Sequence, residues 1–227
     1  MKRYTSLLLL ILIAFVQAKS QNAYRVVQSG EERIMTGSIQ FYIDDTQLMA
    51  RAMMWALSQA DQLMNNIEDH DYKRGQIQLK CMFEGKESNY QADLTLQVKD
   101  HRLVYHFGNI EAKKGSGIKK LFGGSTQFNR LQPEKNDKHR KMIADFEKYA
   151  RSMVEDISAY IDAHEVRITN WSNVETGKLQ NGMSEDEVWL IYGKPINRQE
   201  MDSEAQLLYD NFMHIFTVNG IVTSVVR

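Results

Sequence analysis

Cysteine is almost absent from this chain: Cys81 is the only one in 227 residues, so no intramolecular disulfide can staple the fold. Proline is nearly as scarce, at two, which excludes proline-rich linkers and polyproline segments. Neither sign of charge is in excess. Lys and Arg number 28 against 29 Asp and Glu, a net charge of −1, and bulk charge therefore excludes a strongly basic nucleic-acid binder. Catalytic signatures are missing too. There is no GxSxG, HExxH, CxxC, P-loop or dinucleotide fingerprint, and His164-Glu165 is not completed by a second histidine. The histidines are scattered. His70, among Glu68, Asp69 and Asp71, is the nearest approach to a metal cluster, but adjacent residues on a helix cannot all face one ion. The chain is expected not to be an enzyme, and no cofactor or metal is expected. What is present, 43% hydrophobic and 25% charged residues, is an ordinary globular composition with ample chain to bury a core.

The N-terminus carries a tripartite export pattern. Lys2 and Arg3 precede the ten-residue apolar run Leu7 to Val16, which ends in Val16-Gln17-Ala18. The run is half of what a membrane-spanning helix needs, about 20 residues, and polar Lys19, Ser20, Gln21 and Asn22 follow at once. Cleavage is expected between Ala18 and Lys19, with a second site before Gln21, giving residues 1–18 as signal peptide. Its removal takes away Lys2 and Arg3 and no acid, moving the net charge from −1 to −3. No cysteine near the cut is available for lipid attachment. The product is expected in the periplasm or outside the cell, soluble and without a transmembrane segment.

Residues 19–165 form a first α+β domain by their periodicity. A strand over Gly37 to Ile43 alternates Ile39, Phe41 and Ile43 with polar residues. Asp44 opens a cap-like D-D-T-Q, and a helix is expected to about Ile67, although Gln59 interrupts its stripe. Three strands follow, Gly75 to Phe83, Tyr90 to Val98 and Arg102 to Phe107, joined by short turns as an antiparallel meander. Cys81 falls on the apolar phase of the first of these, where it serves as a small hydrophobe. A basic loop over 111–136 is expected to be flexible. Over 111–141, nine Lys and Arg, including Lys113, Lys114, Lys119 and Lys120, face only Glu111, Glu134 and Asp137. It is mainly a solvated loop, with weak contact to an anionic surface as the functional option. A long amphipathic helix closes the half, about Asp137 to Ala163, with Met142, Phe146, Tyr149, Met153, Ile157, Tyr160 and Ile161 as its core stripe. Two helices thus cover one face of an antiparallel sheet.

The helix RAMMWALSQ after the first strand, the meander ending VKDHRLVYHFGNI and the closing helix together resemble exported bacterial proteins of unknown function with a TATA-binding-protein-like fold. The fold name does not imply DNA binding. The polar sheet face carries Gln78, Lys80, Gln91, Asp93, Thr95 and Gln97, not the basic stripe that phosphates require.

Residues 166–182 are polar and predict a linker. A small module, 183–227, then opens with GMSEDEVWLIYGKP. Ser184 is an N-cap and Glu187 completes a capping box; Glu185 and Asp186 suit the helix dipole. Val188, Ile191 and Tyr192 form the buried stripe, Gly193 suits a left-handed C′ position, and Pro195 stops the helix. Strands are expected near Ala205 to Tyr209, Met213 to Val218 and Ile221 to Val226, the last two joined by an Asn219-Gly220 hairpin turn. Gly182-Met183-Ser184 through Val188, Gly193-Lys194-Pro195, a Tyr-containing strand and the closing Phe-x-x-Asn-Gly-x-Val-Thr hairpin resemble the BamE/SmpA family of envelope assembly lipoproteins. Related folds occur in β-lactamase-inhibitor proteins. The resemblance implies a fold more than an activity. The missing lipid-attachment cysteine and the large preceding domain depart from the family.

The leading expectation is a non-catalytic, exported binding or scaffold protein of the bacterial envelope with a protein partner and no nucleic acid. The alternative is a secreted enzyme inhibitor, with Trp171 and Trp189 as aromatic anchors. A hydrolase with an unrecognised site is the third.

Overall fold

The computed structural model describes residues 25–29, 32–60, 65–84, 88–114, 129–131 and 137–227. The fold is α+β, with two antiparallel sheets. Among the described residues, seven strands make the first sheet: β1 (Arg25–Ser29), β2 (Glu32–Gln40), β3 (Asn65–Asp71), β4 (Gln76–Glu84), β5 (Ser88–Lys99), β6 (Arg102–Lys114) and β7 (Asn129–Arg130). Their order is β1-β2-β6-β5-β4-β3, with β7 beside β6. Two helices, α1 (Asp45–Ala60) and α2 (Asp137–Ala163), cover one face.

Alternation builds the covered face. Ile77, Leu79, Cys81 and Phe83 from β4, the even-numbered apolar residues of β5, and Leu103, Tyr105 and Phe107 from β6 are all buried. Phe146 of α2 meets Phe83, Tyr90 and Phe107 at ring-centroid distances of 5.4, 6.1 and 5.9 Å. Trp55 Nε1 donates to Asp156 Oδ2 (2.8 Å), tying α1 to α2 through a fully buried ring. Asp44 caps α1 as expected, its carboxylate accepting from Gln47 N at 2.9 Å.

Several boundaries differ from expectation, each for a local reason. The helix α1 is described as far as Ala60, and Ile67, expected at its end, lies instead in β3, an edge strand paired with β4. Asn65-Asn66-Ile67-Glu68-Asp69-His70-Asp71 has one apolar residue, so no period-two signal marks it. A hairpin of β1 with β2 replaces the single strand Gly37–Ile43. The strand β6 continues seven residues past Phe107. The pairing shifts between Gln91 and Asp93, Asn109 adopts φ +49°, and Ile110 and Ala112 resume burial in the opposite phase. That bulge hides the continuation, because alternation appears to end at Gly108. The buried stripe of α2 is Ile143, Phe146, Ala150, Val154, Ile157 and Ile161; Met142, Tyr149, Met153 and Tyr160 flank it half-buried.

Residues 166–182 are not a free linker. They contain the short helix α3 (Trp171–Thr176), and Val166 and Val174 are buried. The C-terminal module has α4 (Glu185–Tyr192) on a second sheet of β8 (Asn197–Met201), β9 (Glu204–Leu208), β10 (His214–Val218) and β11 (Ile221–Val226), in the order β11-β10-β9-β8. The strand β8 was not expected; every residue of it is exposed, so it has no buried alternation. One hydrophobic cluster runs through both parts, from Phe146 and Trp55 to Val188 and Leu207. Gln47 Nε2 donates to the Val166 carbonyl (2.8 Å), Arg51 Nη1 to that of Ile161 (2.8 Å), and the Tyr72 hydroxyl to that of Leu190.

Cys81 has no exposed surface, and burial pushes its thiol up to about 12. The thiol is therefore expected to resist a disulfide reagent at pH 8 until the protein unfolds. Cys81→Ser should lower stability by about 1 to 2 kcal/mol, through a hydroxyl placed without a partner, and leave a non-reducing gel unchanged. Fast labelling of the native protein would contradict this.

Candidate functional site

The motif residues of the C-terminal module meet in one place. Ser184 Oγ accepts from Glu187 N (3.1 Å), and Ser184 N donates to Glu187 Oε2 (2.8 Å), closing the expected capping box. Asn219 (φ +51°) and Gly220 (φ +73°) make the two-residue turn between β10 and β11. Gly182-Met183-Ser184 then pairs with β11. Gly182 N donates to the Val222 carbonyl (2.8 Å), Val222 N to that of Met183 (2.8 Å), and Glu185 N to that of Gly220 (2.9 Å). Met183 and Val188 are buried beneath, and Pro195 is half-buried after the helix.

Glu187 does more than cap. Its side chain is fully buried, and it accepts from Thr169 N (2.8 Å), Asn170 N (2.5 Å) and Thr169 Oγ1 (2.6 Å) as well as from Ser184. Ser184 Oγ also donates to the Arg167 carbonyl. Burial alone would push the Glu187 carboxyl up. The hydrogen bonds from Asn170, Thr169 and Ser184 outweigh it and hold the carboxyl below the usual glutamate range. The cap is thus the clamp that fixes the segment before α3 to the module. Ser184→Ala should cost about 1 to 2 kcal/mol in denaturant unfolding; a loss near zero would show that Glu187 holds the segment without it.

Gly193 does not take the left-handed helical conformation expected of a C′ glycine. Its φ of +76° and ψ of −169° lie in a region that is essentially glycine's own.

The helix α4 is shorter than the sheet beneath it. Beyond Tyr192 lies a cavity of about 520 Å³ lined by Tyr192, Lys194, Ile196, Tyr209, Asp210, Met213 and Arg227. The Tyr192 and Tyr209 rings sit 5.8 Å apart, and Tyr209 Oη donates to the Gly193 carbonyl (3.1 Å). Burial pushes the Tyr209 phenol up, so it stays protonated. The lining of the cavity thus combines two aromatic rings, two apolar side chains and charges of both signs.

The expected partner-contact residues lie elsewhere. Trp171 opens α3 with its ring edge-on to Tyr72 at 5.3 Å, and Trp189 packs half-buried against the core. Neither protrudes as an anchor: Trp171 is held across the seam against Tyr72, and Trp189 packs on the hydrophobic cluster. Lys113, half-buried, and Lys114 belong to β6 rather than to a loop. Ala18, Lys19, Lys119 and Lys120 lie outside the described residues, as does the greater part of the expected basic loop. Among the described residues, the most exposed aromatic side chains are instead Tyr42 and Phe212, which sequence reasoning passed over; Tyr192, expected in the buried stripe of α4, is also exposed, at 37%. The one signal for Phe212 was an apolar residue in the short Asp210-Asn211-Phe212 connection.

Two other clefts are visible. One, of about 390 Å³, lies at the seam among Asp45, Tyr72, Arg74, Lys99, Trp171 and Glu175. Asp45 there is already engaged by the amides of Asp100 (3.1 Å) and His101 (2.7 Å). The other, of about 360 Å³, sits between α1 and α2 beside Trp55 and Asp156. The uncovered face of the first sheet is polar and charge-balanced; Lys80 pairs with Asp93 at 2.5 Å, and Asn109 donates to the same carboxylate. Among the described residues, no group of three or more His, Cys, Asp or Glu is placed to hold a metal ion, and no helix is long and apolar enough to cross a membrane.

Two solved structures are similar to this chain. One, a TBP-like protein from Parabacteroides distasonis, shares 7% identity over 62% of this chain and 99% of its own, with a TM-score of 0.49. Another, a DUF4468 family protein from Bacteroides ovatus, shares 13% identity over 63% of this chain and 93% of its own, with a TM-score of 0.43. No family model matches the chain, and no curated protein does.

Proposed function

We propose that this is an exported, non-catalytic protein of the bacterial envelope that binds or scaffolds other proteins through the groove beyond α4. The observation that carries the reading is the groove itself: about 520 Å³ of mixed aromatic, aliphatic and charged lining that includes the exposed residue Ile196. Large exposed apolar residues in such a cluster mark interaction surfaces. The export reading is supported by Lys2, Arg3 and the Leu7–Val16 run. The likeness of Gly182 to Pro195 to the BamE/SmpA module supports an envelope setting. The inhibitor reading keeps one supporting observation, now at a different residue: Phe212, not Trp171 or Trp189, is an aromatic ring presented at a loop tip.

The test is a capture experiment from envelope extract with the wild-type protein and with Ile196→Asp. Binding reading and groove both require a partner that the variant loses. One tight soluble enzyme would favour inhibition, and assembly or membrane components would favour scaffolding. Partners retained equally by the variant would remove the groove from the account. N-terminal sequencing of the exported protein should begin at Lys19; an intact Met1 in the membrane fraction would refute the export reading.

A further inference from the structure

The cleft between α1 and α2 is built from one face of each helix. Trp55 and Gln59 stand four residues apart on α1, and Tyr149, Ser152, Met153 and Asp156 recur on α2 at steps of three, one and three. With Phe83 of β4 they line a space of about 360 Å³. Gln59 is the residue that interrupts the apolar stripe of α1. Its place is a wall of this cleft, and its side-chain amide makes only a long bond to Ser58 Oγ (3.4 Å).

The lining divides by chemistry. One part is apolar. The rings of Phe83 and Tyr149 lie 6.1 Å apart and are tilted by 38°, and the Met153 thioether shares the lining with them. Such a wall accepts an aliphatic or aromatic body, and ring faces attract cations. The other part is polar, with Gln59, Ser152 and Asp156. Asp156 carries the one charge of this lining. Its Oδ2 accepts from Trp55 Nε1 (2.8 Å), and the Trp55 ring has no exposed surface. That bond fixes the carboxylate without neutralising it, because an indole N–H is an uncharged donor. Among the described residues Asp156 has no ion-pair partner. The positions three and four away on its helix, Ser152, Met153, Ala159 and Tyr160, hold no cation. The cavity beyond α4 carries both signs of charge; this cleft carries only the negative one. A fixed, uncompensated carboxylate beside an aromatic wall matches an amphiphile with a positive end.

We infer that this cleft binds a small organic ammonium ion, its apolar body against Phe83, Tyr149 and Met153 and its charge on Asp156. The site lies apart from the groove beyond α4 and does not rest on the reading of that groove as a protein-binding surface. With one charge-assisted hydrogen bond, the dissociation constant is expected on the order of 1 mM.

Benzylammonium chloride is the probe, read through the Trp55 indole N–H signal in nitrogen–proton correlation spectra of the full chain. That signal should shift and saturate with a midpoint of about 1 mM, while the indole signals of Trp171 and Trp189 stay in place. Benzyl alcohol has nearly the same shape and no charge, and should bind about tenfold more weakly or worse. Asp156→Asn should weaken benzylammonium binding by about tenfold or more. The asparagine oxygen still accepts from Trp55, so this variant should melt as wild type does. Ser152→Lys places a cation four residues before Asp156 at an exposed position, and should abolish binding while keeping the fold. If Asp156→Asn melts lower, Ser152→Lys decides alone. A Trp55 signal indifferent to benzylammonium overturns the inference, as does equal binding of benzyl alcohol or unchanged affinity in the lysine variant. Nα-acetyllysine amide presents the same ammonium from a peptide backbone. Binding tighter than that of benzylammonium would overturn a free amine as the occupant in favour of a partner's lysine side chain.

Discussion

Glu187→Ala is expected to be the most damaging single substitution in the C-terminal module, lowering unfolding free energy by about 3 to 4 kcal/mol. The reason is the number of donors left behind. Thr169 N, Asn170 N, Ser184 N and the Thr169 hydroxyl all point at one carboxylate with no exposed surface. A buried donor without an acceptor costs about 1 to 3 kcal/mol, and water entering the vacated space offsets part of that. For a chain of this size the melting temperature should fall by roughly 10 °C. Glu187→Gln keeps the volume but turns one acceptor oxygen into a donor facing backbone N–H groups, so it should lose about 2 kcal/mol. Chemical denaturation of the three proteins checks the ranking. A glutamine variant as stable as wild type would mean that the charge contributes nothing.

The same site sets a pH dependence. The folded carboxyl of Glu187 is held below the ordinary glutamate value. A depressed acid stabilises the fold at pH above the unfolded value, and that contribution is lost as pH falls through the folded one. Its neighbour Asp186 works the other way, because burial raises its carboxyl first and foremost, against the bonds from Arg167. The wild-type stability minus that of Glu187→Gln isolates the first effect. This difference should be constant near neutrality and shrink in acid, below the ordinary glutamate range. A difference independent of pH through that range would mean that the Glu187 carboxyl binds its proton equally well folded and unfolded.

Where one physical signal dominated, the sequence was legible. The strands β4 and β5 bury alternate residues without a break, so period-two alternation alone located them. Ser184, Glu187 and the Asn219-Gly220 turn were readable because capping and tight turns are local chemistry. Legibility failed where pairing, not side-chain pattern, decides the structure. The edge strands β3 and β8 bury little and are held by backbone bonds to β4 and β9. The bulge at Asn109 reversed the phase of β6 and so disguised its second half. The cavity beyond α4 was invisible for a related reason. Its lining comes from the end of α4, the segment after it, the connection from β9 to β10 and the residue after β11, which only the fold brings together. Glu187 lies between these cases: its reach back to Ser184 is local and was foreseen. Its hold on Thr169 and Asn170, across 18 and 17 residues, needed the fold.

Gly193→Ala should lower stability by about 2 kcal/mol, and Gly193→Val by more. Space is not the obstacle. A Cβ built on Gly193 would approach Leu57 Cδ2 at 3.8 Å, an ordinary van der Waals distance. The obstacle is the backbone. With φ +76° and ψ −169°, residue 193 occupies a conformation that any side chain resists and a β-branched one resists most. The chain is held there from both sides. Gly193 N donates to the Trp189 carbonyl at 2.8 Å, ending α4, and the Gly193 carbonyl accepts from Tyr209 Oη at 3.1 Å, fixing the exit toward β8. A side chain at 193 must either accept the strain or turn the peptide and forfeit the Tyr209 bond. In the second case Tyr209 loses its partner at the groove, and the tyrosine fluorescence or its titration in the alkaline range should change along with the melting temperature. Thermal melts of the alanine and valine variants decide the matter. Valine melting no lower than wild type would show that the glycine is not required by its backbone, and that the path from α4 to β8 is set by Pro195 alone.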